Sequence, residues 1–187
     1  MLVGSRGNPA WIAADLVAQA EHDPDAFALL ITPSRRLALR VQASVDATLR
    51  SLDVPIAEKS LACQGGIILT RDLAEAMELV NRLAPEHLTL WDGATALLDQ
   101  VRSAGSIFLG SYSPVAAGDY ASGTNHILPT GGAARLRGGL SAADFLKTIS
   151  VQRLSRRGLS ELRRAIVTLA RVEGLCAHAY SVEARFK

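Results

Sequence analysis

Residues 27–55 read FALLITPSRRLALRVQASVDATLRSLDVP, and this stretch decides the fold class. Phe27 to Ile31 is a short unbroken apolar run, the pattern of a strand buried on both faces. Ser34 then stands as an N-cap before a helical segment carrying Leu37, Leu39, Val41, Val45 and Leu49. That helix must stop near Leu52-Asp53-Val54-Pro55, because proline lacks the amide and clashes with the preceding turn. One strand followed by one covering helix is the unit from which parallel sheets are built.

The same alternation continues on both sides. Downstream, Gly66 to Thr70 reads as strand, Asp72 to Leu83 as helix, Leu88 to Trp91 as strand, Ala94 to Ser103 as helix and Ser106 to Gly110 as strand. Upstream, Asn8-Pro9 caps and opens a helix through Glu21, with Trp11, Ala14 and Val17 along one face. Met1-Leu-Val-Gly reads as the tail of a strand, with the expectation that the chain is truncated there. The predicted class is α/β.

From Gly110 to Gly139 the alternation fails, and Gly, Ser, Pro, Asn and Thr crowd a segment too long for an idle connection. A second regime starts near residue 140. Ala142 to Thr148 is predicted helical, Ser150 to Leu154 a short strand, and Ser160 to Ala179 one long amphipathic helix striped by Leu162, Ile166, Leu169 and Val172. The expected division is 1–140 for the α/β segment and 141–187 for a mainly helical tail.

Composition narrows the function classes. The chain has 187 residues, 49% of them hydrophobic, with 20 basic and 18 acidic side chains and a formal charge of +2. A net field too weak to recruit nucleic acid follows, and the cluster Arg153, Arg156, Arg157, Arg163 and Arg164 reads as a solvated helix face. Cys63 and Cys176, in apolar surroundings and without CxxC spacing, read as reduced thiols of a cytoplasmic protein. No apolar run reaches membrane-spanning length, and no signal-peptide layout is present.

All four histidines sit beside groups that orient imidazoles. Gln19 and His22 project from one edge of the first helix, which suits either a shared ligand or a histidine held by the helix dipole. Glu86-His87 follows Pro85 at a strand end, where loops line the crevice of a parallel sheet. Adjacent strand residues face opposite ways, so both reach one site only if the backbone turns at Pro85. Asp119 and His126 lie in the Gly-rich stretch GDYASGTNHILPTGG, closed by residues suited to tight backbone geometry. Glu173 and His178, five apart, flank a ligand only loosely. Two histidines, an aspartate and a glutamine make a divalent metal shell, and a Glu-His pair remains for proton transfer.

The stretches PAWIAADLVAQAEHDP, APEHLTLW, SAGSIFLGSYSPVAAGDYASGTNHILPTGG, LSAADFLKTISVQRLS and EGLCAHA together resemble the histidinol dehydrogenase family, in order and over essentially the whole chain. The resemblance implies a parallel Rossmann-like sheet flanked by helices, here the incomplete half of a larger domain. It implies NAD-dependent oxidation of L-histidinol to L-histidine through a bound aldehyde, the last step of histidine biosynthesis. Gln19, His22, Asp119 and His178 match the family's zinc ligands, and His87 and Glu86 its catalytic pair, the histidine as base and the glutamate activating the hydrating water. His126 and Glu173 match substrate contacts, joining Gln19, His22, His87, Asp119 and His178 in that role.

The resemblance also implies a homodimer whose C-terminal tail crosses to the partner, so that His178 lies far from His22 and Asp119 within one chain. Most NAD contacts are expected in an N-terminal half absent from these residues, which contain no GxGxxG and offer no cofactor-binding set. Such a chain is expected to be inactive alone. Two other readings compete: a noncatalytic zinc- and substrate-binding or assembly module derived from that enzyme, and a zinc hydrolase using Glu86 to activate water.

Overall fold

The computed structural model describes residues 1–187 and divides into two units, Met1–Phe145 and Leu146–Lys187. The first unit is α/β. Its strands are β1 (Leu29–Thr32), β2 (Gly66–Leu69), β3 (His87–Leu90) and β4 (Ser106–Leu109), and its helices are α1 (Pro9–Glu21), α2 (Arg35–Ser51), α3 (Pro55–Gln64), α4 (Leu73–Leu83) and α5 (Val115–Tyr120).

β1 pairs in parallel with β2, and β3 with β4. The N-terminal segment joins the two pairs, because Leu2 bridges both Ile31 and Leu90 in parallel. Leu2 N–H donates to Thr89 O at 2.8 Å and Val3 N–H to Ile31 O at 3.0 Å, while Trp91 N–H donates to Leu2 O at 3.0 Å. The spatial order is therefore β2, β1, the Met1–Val3 segment, β3, β4. Leu2 and Val3 sit at the centre of the sheet and are fully buried.

Strand pleating assigns successive side chains to opposite faces. Val3, Leu30 and Trp91 pack with Ile12, Leu16 and Val17 of α1, with Leu37 and Val41 of α2, and with Ala57 of α3. Leu2, Ile31, Leu88 and Leu90 pack on the other face with Ala76, Met77 and Val80 of α4. Two helical layers thus cover one parallel sheet, the arrangement expected of near-continuous apolar strands.

Local signals set the helix starts. Asn8 caps α1 by accepting from Ala10 N–H, Ser34 caps α2 from Leu37 N–H, and Asp72 caps α4 from Glu75 N–H. Each such cap contributes about 1 kcal/mol. Several expectations are corrected. The buried stripe of α1 is Ile12, Leu16, Val17 and Ala20, whereas Trp11 and Ala14 face outward. The segment after β3 forms only a short 3-10 turn, Thr95–Gln100. The helix α3 directly after Pro55 has no counterpart in the sequence reading. Cys63 and Cys176 are exposed.

The second unit carries α6 (Arg156–Val172) and α7 (Cys176–Glu183). A single helix from Ser160 to Ala179 is excluded by Gly174, whose φ of +74° ends α6 in the left-handed region. The expected strand at Ser150–Leu154 does not form, and Ala142–Phe145 is a 3-10 turn. Val167 and Ala170 of α6 pack with Ala179 and Val182 of α7, leaving Leu162, Leu169 and Val172 of the expected stripe exposed. Arg157 pairs with Glu161 at 3.1 Å on the solvated face, and the Arg163 guanidinium lies over the Phe186 ring. No helix in either unit is long and apolar enough to cross a membrane.

Candidate active site

The site forms where α1 ends, β3 begins and α5 crosses β4. His87 is the first residue of β3 and lies on the α1 face with Thr89, since Leu88 and Leu90 point to the α4 face. The backbone turn that lets Glu86 and His87 share a neighbourhood comes from Ala84, which closes α4 in the left-handed region at φ 50°. Gly105 N–H donates to Pro85 O at 2.9 Å and Ser106 N–H to Glu86 O at 2.8 Å, pinning the turn to β4. A Cβ at Gly105 would stand 2.6 Å from Glu86 O, so glycine permits that approach.

His22 is the C-cap of α1. α1 follows the central N-terminal segment and returns across the sheet, so its C-terminal end comes back to the amino ends of the strands. The site therefore lies at the amino ends of the parallel strands, whereas ligands of open parallel sheets are usually found at the carboxyl ends. Gln19 is half-buried one turn before the exposed His22.

Asp119 belongs to the short helix α5, not to an irregular loop as its sequence context suggests. Its Oδ1 lies 3.9 Å from His87 Nε2. That distance is beyond a hydrogen bond. Both ring nitrogens of His87 are buried and without hydrogen-bond partners. Burial pushes the imidazole below the ordinary histidine range; Glu86 and Asp119 pull it upward, and the nearby His22 ring adds to the lowering. The ring is thus neutral near pH 7, and the pair with Asp119 is a base facing a carboxylate, not an ion pair.

His126 is exposed in the segment after α5, where Asn125 anchors the turn by accepting from Ile127 N–H at 2.8 Å. Glu173 and His178 belong to the second unit and are both exposed, the first as the C-cap of α6 and the second within α7. The expectation that they share one helix end is corrected. The first unit thus gathers His22, Glu86, His87 and Asp119 into one electrostatic neighbourhood, with Gln19 adjoining it in sequence.

No three His, Cys, Asp or Glu side chains are close enough to hold an ion among themselves. Of the expected ligand set, the first unit contributes His22 and Asp119 of those types, with Gln19 as a third donor on α1. The orphaned nitrogens of His87 are the independent sign that this neighbourhood takes a polar ligand, since buried ring nitrogens are ordinarily paired.

Sequence reasoning did not single out Phe108 or Gly118. The Phe108 ring stands 6.0 Å from the His87 ring, tilted by 51°, and Gly118 is buried immediately before Asp119. A glycine inside a helix next to a candidate ligand is a readable sign of close packing. The strand register that brings Phe108 to His87 is not readable from the sequence.

An α/β chain with a buried neutral imidazole, two carboxylates and a second imidazole converging at one sheet edge has the side chains of an acid–base or metal-assisted enzyme. The family model described as histidinol dehydrogenase matches residues 1–186, and the chain belongs to that family. It is 46% identical over 189 residues to histidinol dehydrogenase of Methanothermobacter thermautotrophicus, covering 100% of this chain and 44% of that protein. With the Xylella fastidiosa histidinol dehydrogenase it shares 48% over 187 residues, covering 99% and 43%. The crystal structure of histidinol dehydrogenase from Elizabethkingia anophelis superposes with a TM-score of 0.90 at 36% identity, over 99% of this chain and 43% of that one. The chain spans less than half the length of the relatives it matches.

Proposed function

We propose that this chain carries the substrate-holding and proton-transfer residues for the NAD-dependent oxidation of L-histidinol to L-histidine, at the end of histidine biosynthesis in the cytoplasm. The observation that carries the reading is the His87 imidazole, buried, unpaired, kept neutral and faced by Asp119. A base poised in its neutral form is what removal of an alcohol proton requires.

Gln19, His22 and Asp119 would hold a zinc ion, with His178 supplied by the tail of a partner subunit in a homodimer. When bound, zinc supplies a positive template for the substrate's imidazole and amine, and NAD supplies the hydride acceptor for both oxidations. His87 accepts the alcohol proton. Glu86 takes a proton from the water that hydrates the aldehyde, readying it for the second oxidation. His126 and Glu173 contact the substrate. The NAD contacts would come from the portion of the relatives' length that this chain does not span. The chain by itself is then a binder without turnover.

Calorimetric titration of the zinc-loaded chain with L-histidinol tests this. Saturable, zinc-dependent binding that His22→Ala abolishes is expected, with no NAD reduction by the chain alone. Absence of binding, or histidinol turnover by the chain alone, overturns the reading.

A further inference from the structure

Beside the His87–Asp119 pair, α5 packs at Gly118 on the ring of Phe108. Phe108 pairs with Thr89 across β3 and β4. Side chains directly opposite in a ladder share a face, so the Phe108 ring stands on the same side as Thr89 and His87. Phe108 is buried, 7% exposed, with its ring against His87.

α5 crosses directly over that ring. A Cβ built at Gly118 would lie 2.6 Å from Phe108 Cε1, 3.0 Å from Phe108 Cζ and 2.9 Å from Thr124 Oγ1. Carbon atoms in ordinary contact stand about 3.5–4.0 Å apart, so any side chain here drives the helix off the ring. The backbone conformation at Gly118 lies outside the left-handed region, and the requirement for glycine is therefore volume and not φ. Glycine is also a poor helix former, and its place inside a six-residue helix is accounted for by the ring beneath it. The carbonyl of Gly118 accepts from the Thr124 hydroxyl at 3.3 Å, tying the same point to the segment that leads to Asn125 and His126.

We infer that Phe108 and Gly118 form a steric gauge, the ring as stop and the glycine as the gap that meets it, which sets how far Asp119 reaches toward His87. Both are positioning residues for the site proposed above, and the inference rests on that reading for its consequence in metal binding. Asp119 is the next residue along α5, so displacement of Gly118 carries the carboxylate away from the imidazole. The ring also closes the apolar side of His87, so one side chain sets the distance and excludes water.

Metal-free crystal structures of the native chain, Gly118→Ala and the Gly118→Ala/Phe108→Leu pair test the gauge, together with zinc affinity by competition with a chromophoric chelator. Gly118→Ala is expected to widen the His87 to Asp119 separation by ~1 Å, the shortfall of the clash from ordinary contact. Zinc affinity should fall by about 10–100-fold, the usual cost of losing ligand positioning. Leucine at 108 removes the offending ring atoms, the exposed Thr124 side chain can turn its hydroxyl away, and both should be restored. An unchanged separation in Gly118→Ala overturns the inference, as does a widened separation with unchanged zinc affinity. Should Gly118→Ala fail to fold, the double variant decides: native-like separation supports the gauge, and failure to fold or a displaced α5 overturns it. A native chain that binds no zinc counts against the proposed function alone, because the separations are read without metal.

Discussion

His87 Nε2 and Asp119 Oδ1 face each other across 3.9 Å, one from the start of β3 and the other from α5. Neither completes the other. The imidazole is too far for a hydrogen bond and too desolvated to hold a proton near neutral pH, so each keeps its bonding capacity for a third group. A carboxylate and a neutral imidazole in that relation divide naturally into ligand and base.

That division predicts unequal effects on metal binding. Asp119→Ala and His22→Ala should each weaken zinc binding by roughly 100-fold or more, because each removes a donor from the proposed four-ligand shell. His87→Asn should change it less than about threefold if the imidazole is the proposed base and not a ligand. Competition with a chromophoric chelator measures all three, and a large loss in His87→Asn would assign the imidazole to the metal instead.

The two halves of the reaction should separate by residue. With this chain grafted in place of the matching 44% of the Methanothermobacter protein, His87→Asn is expected to slow turnover by about 10²–10⁴-fold, the usual worth of a positioned base. Glu86→Gln should spare the first oxidation more than the second, so that aldehyde accumulates and can be trapped with a carbonyl reagent. Equal slowing of both oxidations would remove Glu86 from the hydration step.

Much of the fold was legible because its signals are local. Ser34 and the apolar run before it place β1 and the start of α2 within two residues of their observed ends, and α2 stops at Ser51, four residues before Pro55. The Gly-rich context of Asp119 and His126 marks a candidate site by its own residues, whereas Glu86-His87 alone reads equally well as a solvated turn and is singled out by the family resemblance. What was not legible depends on distant parts of the chain. α3 has no side-chain cap and a weak apolar stripe, and it is held by packing Ala57 against α1 and the sheet. The tail helix broke at Gly174 because one positive φ outweighed an unbroken apolar periodicity. The position of the site at the amino ends of the strands follows from α1 returning across a central segment whose pairing to Ile31 and Leu90 no local pattern announces.

Gly174 makes its own prediction. Its left-handed φ of +74° separates α6 from α7 and lets Val167 and Ala170 meet Ala179. Gly174→Ala should destabilise the tail by about 1 kcal/mol through backbone strain. Urea unfolding followed by circular dichroism gives the number, and an unchanged or higher midpoint would show that the turn adapts without cost.

Asp15 offers a test in pH. It is half-buried on α1, one turn before Gln19, and makes no hydrogen bond or ion pair; burial raises its carboxyl from 3.8 to about 6. Between those values the native chain binds more protons here than the unfolded chain, so stability falls as pH rises through the window. Above about 6 the cost of a desolvated carboxylate is fully present, and below 3.8 it is gone. The full shift would correspond to ~3 kcal/mol, and the solvent-facing part of the side chain reduces this to roughly 1 kcal/mol. Asp15→Asn should therefore stabilise the chain by about 1 kcal/mol at pH 7, with the gain shrinking to nothing toward pH 4. Urea midpoints at pH 4, 5, 6 and 7 measure the trend. A gain independent of pH would place the effect in packing and not in the buried charge, and a loss at pH 7 would mean that the carboxylate has a partner in solution.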